Sequence, residues 1–372
     1  MADADILIVG GGPAGLTTAG ALKQDGLEST ILDGGAKIGQ SWEQRYDRLH
    51  LHTVRAFSGL AHYPIPRGYP KYLSKDQYAR YLREYASRFN LNFVPNTRVQ
   101  RVRQDNNRWA VEAGGETHSA RVVILASGPF SRPVTPVWPG LEKYGGKTLH
   151  STEYRSGSSF RNQRVLVVGS GNSGMEIAVD LVEQGAAPVT ISVRACPPVV
   201  PRDFLGVPAQ VFGILMHPLP PALSDRVGNL LSRLALGDLR RFGLSAPAWL
   251  PFSSHRTPVI DVGFVRLLKA GKIRVRPAIE SITPGGVVYQ DGREEAYDAV
   301  IFATGYQTGL DELLDPVGLI DQNGIPRFRS GTRTSLPGLY FMGFFDSLRG
   351  FLYESNLASR RLAREVRAFL DQ

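Results

Sequence analysis

The chain carries one phosphate-binding pattern twice. The spacing Gly-x-Gly-x-x-Gly occurs at 10–15 and again at 169–174, directly after apolar runs at 6–9 and 165–168. Each run predicts a buried parallel strand, and each glycine set predicts the tight turn from that strand into a helix. Such a turn lets a pyrophosphate approach the backbone at the positive N-terminus of the helix. The sequence therefore predicts an α/β protein with two Rossmann-like dinucleotide-binding domains. We expect electrons to pass between the two bound dinucleotides.

The residue that follows the second strand of each unit predicts which nucleotide binds. Asp33 lies where an acid accepts hydrogen bonds from a ribose diol. Because an acid there repels a 2′-phosphate, the first unit fits FAD or NAD. Arg194 holds the corresponding place in the second unit, where a guanidinium pairs with a phosphate dianion, so this unit fits NADPH over NADH. The alternatives are a turn acid for Asp33 and a solvated surface arginine for Arg194.

Each unit also has a second apolar run that ends in small residues. The runs at 122–128 and 299–305 end in Ser127-Gly128 and Thr304-Gly305. A turn of small residues lets the chain pass close to a cofactor where a longer side chain would clash. Taken singly, each is consistent with an ordinary buried strand, but the pair indicates one repeated plan.

Composition excludes several classes of function. Cys196 is the only cysteine, which rules out a disulfide framework and a Cys-x-x-Cys redox pair, and with them disulfide-reductase chemistry. The net charge is +9, but the basic residues are scattered and no nucleic-acid motif is present, so nucleic acid is not an expected partner. No apolar run reaches about 18 residues, so we expect no transmembrane segment. The first strand begins at the N-terminus without a signal peptide, and the expected location is cytoplasmic.

The order of the motifs predicts a nested pair of domains. We expect a FAD-binding domain at 1–155 and 298–372, with the NADPH-binding domain at 160–297 inserted into it. A short Gly/Ser stretch at 156–159 suits a hinge. Residues 204–250 are apolar and interrupted by prolines, and they could form a lid over the site, a dimer surface or a peripheral membrane contact. Core packing is the alternative for this insertion, and the protein is expected to be a monomer or a homodimer.

Between the two glycine motifs lies a fingerprint that resembles one family. Tyr144, Gly146, His150 and Tyr154 match the fingerprint of flavin-containing monooxygenases, with tyrosine in place of the usual phenylalanine at Tyr144. Further segments resemble the plant YUCCA branch of class B enzymes, which are indole-3-pyruvate monooxygenases. These segments are 46–52, 167–176, 200–206, 241–244, 257–263 and 303–306. The resemblance covers nearly the whole chain.

The resemblance implies a reaction. FAD and NADPH are the implied cofactors and O2 the co-substrate: NADPH reduces FAD, O2 adds to give a C4a-peroxyflavin, and a small organic substrate is oxygenated. In the YUCCA branch that substrate is indole-3-pyruvate and the product indole-3-acetate, whereas other relatives oxidise sulfides, amines or ketones. An NAD(P)H oxidase and an idle flavoprotein that acts as a redox sensor stay open as alternatives.

The glycine motifs and the resemblance together give a set of expected site residues. The resemblance implies His52 as the catalytic residue, where many relatives have asparagine; a core histidine is the alternative. No metal ligands are expected. The FAD set is Gly10, Gly12, Pro13, Ala14, Gly15, Asp33, Ser41, Trp42, Val99, Ser127 and Gly128. The NADPH set is Ser170, Gly171, Asn172, Ser173, Gly174, Arg194, Thr304 and Gly305.

Overall fold

Each unit contains a sheet with parallel strands that are connected by helices, so the predicted α/β class is confirmed. The structure is a computed structural model that describes residues 3–314 and 318–372. One unit comprises Met1–Gln44, Thr53–Arg132 and Tyr306–Gln372. The other comprises Arg45–His52 and Pro133–Gly305. Each unit contains one of the two glycine motifs.

The strands range from two to ten residues in length. In chain order they are β1 (Asp3–Val9), β2 (Thr30–Leu32), β3 (Asn92–Val94), β4 (Val99–Asp105), β5 (Arg108–Ala113), β6 (Glu116–Leu125), β7 (Arg132–Pro133), β8 (Lys147–His150), β9 (Val165–Val168), β10 (Val189–Ser192), β11 (Val199–Pro201), β12 (Asp203–Phe204), β13 (Val207–Pro208), β14 (Val259–Asp261), β15 (Ile273–Arg276), β16 (Ile279–Thr283), β17 (Gly286–Tyr289), β18 (Glu294–Ala296), β19 (Ala299–Phe302), β20 (Tyr306–Gln307) and β21 (Leu339–Phe341).

The helices lie between the strands in the chain and after the last strand. They are α1 (Pro13–Gln24), α2 (Gln40–Glu43), α3 (Lys75–Arg88), α4 (Asn172–Glu183), α5 (Ala209–Met216), α6 (Pro221–Leu236), α7 (Pro251–Ser254), α8 (Phe264–Lys269), α9 (Leu310–Leu313) and α10 (Phe351–Leu370), with 3-10 turns at Arg55–Phe57, Leu141–Lys143, Gly157–Phe160 and Leu239–Phe242. None of the helices in the described ranges is long and apolar enough to cross a membrane.

The sheet of the first unit has the order β3-β2-β1-β6-β5-β4, and β21 also pairs with β6. Pairing is parallel from β3 to β6 and for β21, and antiparallel from β6 to β4. Because helices cover both faces of a parallel strand, the last four residues of β1 show no polar alternation: Ile6, Leu7, Ile8 and Val9 are all buried. The carboxyl end of this strand enters the first glycine turn.

The sheet of the second unit has the order β15-β10-β9-β19-β8, and every pair in it is parallel. Our expected boundaries were wrong here, because residues 298–305 and 133–155 belong to this unit and not to the first. The reason is that β19 pairs with β9 on one side and with β8 on the other. An apolar run predicts a buried strand, but it does not say which strands become its neighbours.

The expected hinge at 156–159 is also wrong. Residues Gly157–Phe160 form a 3-10 turn packed on α4. The Gly157 N–H donates to Asp180 Oδ2 at 2.8 Å, and a Cβ at Gly157 would press on the α4 backbone. The glycine therefore serves a close approach of two backbones, which a flexible link does not need.

Candidate functional site

The first glycine turn holds strand β1 against helix α1. Gly10 has a φ of +108°, and a Cβ there would lie 2.6 Å from the carbonyl oxygen of Ala126. A Cβ at Gly15 would overlap the carbonyl oxygen of Gly10. Gly12 differs, because a Cβ there would meet no described residue within 4 Å. The first and third glycines thus make the turn possible, and the second leaves open space beside the backbone.

The second glycine turn repeats this arrangement. Gly169 has a φ of +112°, and a Cβ there would overlap the carbonyl oxygen of Ala303. A Cβ at Gly174 would overlap the carbonyl oxygen of Gly169, whereas a Cβ at Gly171 would meet nothing within 4 Å in the described part of the chain. The two motifs therefore share the same turn structure as well as the same sequence pattern.

Both turns lead into helices whose N-termini carry no side-chain cap. Helices α1 and α4 begin after Gly12 and Gly171, with no capping hydrogen bond and no acidic residue in the first turn. The first N–H groups of a helix have no partner within the helix, and the helix dipole favours negative charge there. The open space beside each middle glycine and the uncapped helix together fit the pyrophosphate of a dinucleotide.

Asp33 lies at the edge of the first turn and is held there by the backbone. Its Oδ2 accepts a hydrogen bond from the Gly11 N–H at 2.6 Å, and its Oδ1 accepts one from the Gly35 N–H at 2.6 Å. A carboxylate has about four lone-pair sites, so two remain for another donor. The position and the spare capacity fit a ribose diol.

The second turn of small residues in each unit also lies beside open space. Gly128 and Gly305 have φ values of +85° and +91°, and a Cβ at either would meet none of the residues that the structure describes within 4 Å. Ser127 Oγ is buried and has no hydrogen-bond partner among residues 3–314 and 318–372, which fits a polar ligand at this turn. Thr304 Oγ1 donates to the carbonyl oxygen of Val134. The repeated plan that the sequence indicates is present in both units.

The remaining residues of the expected FAD set differ in how deeply they are buried. Trp42 on α2 is half-buried and meets the ring of Tyr78 edge-on, with 4.7 Å between the centroids. Ser41 is exposed, Val99 is buried in β4, and Ala14 is buried on α1 behind Pro13. Whether Trp42 packs by a flavin stays a prediction.

Arg194 is exposed just beyond the end of β10 and makes no hydrogen bond or ion pair with any described residue. Its guanidinium is thus available to an anion. Asn172 and Ser170 each form a hydrogen bond within the protein. Asn172 Oδ1 accepts from the Ile260 N–H at 2.9 Å, and Ser170 Oγ donates to the carbonyl oxygen of Ala195 at 3.1 Å. Ser173 lies in the first turn of α4 and is half-buried.

His52 is held by a buried carboxylate that the sequence reasoning missed. His52 Nε2 donates a hydrogen bond to Glu176 Oε1, and the hydroxyl of Tyr46 donates to Glu176 Oε2 at 3.2 Å. The Glu176 side chain is 3% exposed and that of His52 is 23% exposed. Burial, with the nearby Glu176 carboxylate, raises the pKa of Tyr46 well above its usual range, so this hydroxyl stays protonated.

Helix α4 carries acids at 176, 180 and 183, a spacing that places them on one face. The segment Arg45–His52 docks on this face. Arg48 Nη1 pairs with Glu183 at 3.1 Å, and Arg48 Nη2 donates to the carbonyl oxygen of Val262 at 2.9 Å. These contacts, with those of Glu176, explain why eight residues of the N-terminal region fold with the second unit.

The family fingerprint makes structural contacts within the second unit. The Tyr154 hydroxyl donates to Asp180 Oδ2 at 2.6 Å, and the Tyr144 hydroxyl donates to the carbonyl oxygen of Tyr297 at 2.9 Å. Burial lowers the pKa of His150, which therefore favours the neutral ring. Cys196 is buried, and burial raises the pKa of its thiol. A buried thiol with a raised pKa is a weak nucleophile, because the thiolate is the reactive form.

Comparisons with known proteins agree with this geometry. Residues 7–197 match the family model described as pyridine nucleotide-disulphide oxidoreductase. The chain is 39% identical to the indole-3-pyruvate monooxygenase YUCCA8 of Oryza sativa subsp. indica, covering 93% of this chain and 87% of that protein. It is 37% identical to the probable indole-3-pyruvate monooxygenase YUCCA4 of Arabidopsis thaliana, covering 94% and 87%.

Solved structures share the fold over the full length. A flavin-containing monooxygenase from Stenotrophomonas maltophilia superposes with a TM-score of 0.76 at 25% identity and covers 100% of both chains. An oxidized steroid monooxygenase bound to NADP superposes with a TM-score of 0.76 at 20% identity, covering 99% of this chain and 86% of that one. At that lower identity the likeness concerns the fold alone.

Proposed function

The chain belongs to the YUCCA-type flavin monooxygenases, and from this premise we propose that its substrate is indole-3-pyruvate, which it converts to indole-3-acetate. As a member of that family it is an NADPH-dependent monooxygenase that uses FAD and O2. The observation that carries the substrate is the near-complete match to relatives named for this activity. The reaction balances as indole-3-pyruvate, NADPH, H+ and O2 giving indole-3-acetate, CO2, NADP+ and H2O.

We assign FAD to the first unit and NADPH to the second. Asp33 supports the first assignment, because a carboxylate suits a free ribose diol and repels a 2′-phosphate. Arg194 supports the second, because its guanidinium has no partner among residues 3–314 and 318–372 and suits a 2′-phosphate. Since Pro133–Gly305 lies between Arg132 and Tyr306 in the chain, the NADPH domain is then inserted into the FAD domain.

The proposed roles of the chain's own residues are to bind and to orient. The backbone at Gly12 and the N-terminus of α1 hold the pyrophosphate of FAD, and Gly171 with α4 holds that of NADPH. Gly128 and Gly305 leave room for the bound dinucleotides beside the second turn of each unit. The flavin, when bound, supplies hydride acceptance and O2 activation.

We propose that His52 acts through its Nδ1 atom. Because Glu176 accepts from Nε2, the neutral ring carries its proton on Nε2 and presents Nδ1 as an acceptor. Glu176 therefore selects the tautomer and fixes the ring plane, and Tyr46 holds the second carboxylate oxygen. In this view Glu176 and Tyr46 are positioning residues, and His52 is the residue that meets the reacting groups.

The test is to supply purified, FAD-loaded protein with NADPH, O2 and indole-3-pyruvate. We expect one indole-3-acetate and one CO2 for each NADPH oxidised, identified by mass spectrometry. Parallel reactions with a sulfide, an amine and a cyclic ketone provide the comparison. Oxygenation of one of these with indole-3-pyruvate left unchanged would overturn the proposed substrate, and release of one H2O2 per NADPH with every compound would indicate an oxidase.

A further inference from the structure

Helix α6 exposes apolar side chains on the side opposite its buried face. Leu223, Val227, Leu230 and Leu234 follow one another at intervals of four, three and four residues, which places them on one stripe. Leu230 is 59% exposed and Leu234 is 69% exposed. A surface helix normally turns such a stripe towards the core, whereas the residues of α6 that are buried include Ser224 and Asp225.

Further exposed apolar residues lie N-terminal to this helix in the chain. Leu219 precedes α6 and Leu215 lies on α5, and both are exposed. Leu205, which is 89% exposed, forms the tip of the β12–β13 hairpin with a φ of +48°, a conformation that a bulky side chain rarely adopts. The rings of Phe204 and Phe212 meet at 6.1 Å and join the hairpin to α5.

We call this set the leucine surface. Its members share exposure and an apolar side chain within one continuous stretch of the second unit. They are Leu205, Leu215, Leu219, Leu223, Val227, Leu230 and Leu234.

Most of the charged residues in this stretch are positive. Between 204 and 256 the sequence has five arginines and two aspartates, Asp225 and Asp238. Asp225 is 2% exposed and accepts hydrogen bonds from the N–H groups of Phe252 and Ser253. Asp238 is paired with Arg240 at 2.7 Å. No aspartate of the stretch is therefore left to balance the other arginines.

Two of these arginines run beside the leucine surface. Arg226 and Arg233 are exposed on α6, three residues after Leu223 and Leu230, so they flank the stripe along one side. An arginine that flanks an apolar stripe places its stem along the apolar region and its guanidinium at the boundary with water. A row of this kind forms the boundary that an interfacial helix presents to lipid headgroups.

The charge pattern distinguishes between two occupants of the leucine surface. A second copy of this chain would bring the same arginines together without acids to pair with them, which disfavours self-association. An anionic lipid surface offers phosphates to Arg226 and Arg233 and an apolar layer to the leucines. We propose that the leucine surface is the docking site for an anionic membrane.

The test is co-sedimentation of the FAD-loaded protein with vesicles of phosphatidylcholine alone or mixed with phosphatidylglycerol. We expect binding to the mixed vesicles that weakens as salt is added. Leu230→Glu combined with Leu234→Glu should weaken this binding about a hundredfold. Arg226→Gln combined with Arg233→Gln should weaken it about thirtyfold.

A matched control carries the same change of charge on other segments. Val137 is 92% exposed and Ile325 is 45% exposed, and Val137→Glu combined with Ile325→Glu should leave vesicle binding unchanged. Retained FAD and NADPH oxidation confirm that each variant is folded. The proposal is overturned if the unaltered protein does not bind the mixed vesicles, or if both glutamate pairs reduce binding equally. It is also overturned if the Leu230/Leu234 pair only converts a dimer into a monomer by sedimentation velocity, which would make the surface an interface between copies.

Discussion

His52 donates a hydrogen bond to the buried carboxylate of Glu176, although the two residues are 124 positions apart in the chain. Glu176 lies two residues beyond the last glycine of the second motif, on the helix that we propose to bind NADPH. The catalytic histidine that we propose is therefore attached to the same helix as the proposed coenzyme site. An arrangement of this kind fixes the ring more firmly than a loop does, because the helix backbone is rigid.

We expect His52→Ala to retain FAD and NADPH oxidation but to lose coupling. If Nδ1 contributes a hydrogen bond of about 1 kcal/mol at the reacting step, the H2O2 released relative to oxygenated product should rise about fivefold. The measurement is peroxide and product per NADPH consumed. His50→Ala is the control, because His50 is exposed in the same segment and its ring forms a hydrogen bond with the carbonyl oxygen of Arg48. Unchanged coupling in His52→Ala would leave His52 as a packing residue.

Glu176→Ala should lower the stability of the folded protein. It removes the acceptor of two buried or half-buried donors, His52 and Tyr46, and hydrogen bonds to a charged group contribute about 1.5–3 kcal/mol each. We expect a clear fall in Tm for the FAD-loaded protein. Glu183→Ala is the control on the same helix. The Glu183 side chain is 39% exposed, and a surface ion pair such as the one it forms with Arg48 is worth about 1 kcal/mol or less. Equal falls in Tm for both variants would contradict the importance of the Glu176 contacts.

Arg194→Ala should change the choice of coenzyme. A charge-assisted pair with the 2′-phosphate is worth about 1.5–3 kcal/mol, so the KM for NADPH should rise about ten- to a hundredfold while that for NADH barely changes. Steady-state kinetics with both coenzymes measure this difference. Arg161→Ala, at another exposed arginine of the same unit, is the control and should change neither value. Equal losses with both coenzymes would show that Arg194 does not contact the 2′-phosphate.

Gly12→Val and Gly171→Val should separate the two dinucleotide sites. Both glycines have ordinary φ values, −75° and −74°, and open space beside them, so the substitution leaves the turn unstrained and fills the space for the pyrophosphate. Gly12→Val should give a colourless protein without FAD. Gly171→Val should give a yellow protein whose flavin NADPH no longer reduces. Absorbance spectra and anaerobic reduction distinguish the two, and a Gly12→Val protein with a full complement of FAD would place the flavin elsewhere.

The glycine turns were predictable from the sequence because the glycine spacing that defines them is local in the chain and occurs twice. Gly10 and Gly15 meet within one turn, and the positive φ of Gly10 allows few other residues. The same reasoning transfers to Gly169 and Gly174 without change. The chemical identity of Asp33 and its distance from the turn then suffice to suggest the nucleotide.

The neighbours of β19 and the partner of His52 were not predictable in this way. All buried parallel strands have similar apolar runs, so the run at 299–302 does not reveal that it lies between β9 and β8. Glu176 resembles any acid on a helix until the fold places it against His52 and Tyr46. The exposure of the apolar stripe on α6 was not predictable either, because its spacing is the same as that of a helix packed on a core.

The Tyr46 hydroxyl gives a prediction for alkaline pH. Because burial and Glu176 raise its pKa well above the unfolded value of about 10, its protonated form stabilises the fold fully below pH of about 10. That stabilisation is lost as the pH rises above the unfolded value towards the folded one. Tyr46 should therefore ionise only when alkali unfolds the protein. A spectrophotometric titration counts the tyrosines that ionise in the folded protein and those that ionise only when it unfolds. Tyr46→Phe should reduce the second number by one and leave the first number unchanged. A fall in the first number would mean that Tyr46 is open to solvent and does not hold Glu176.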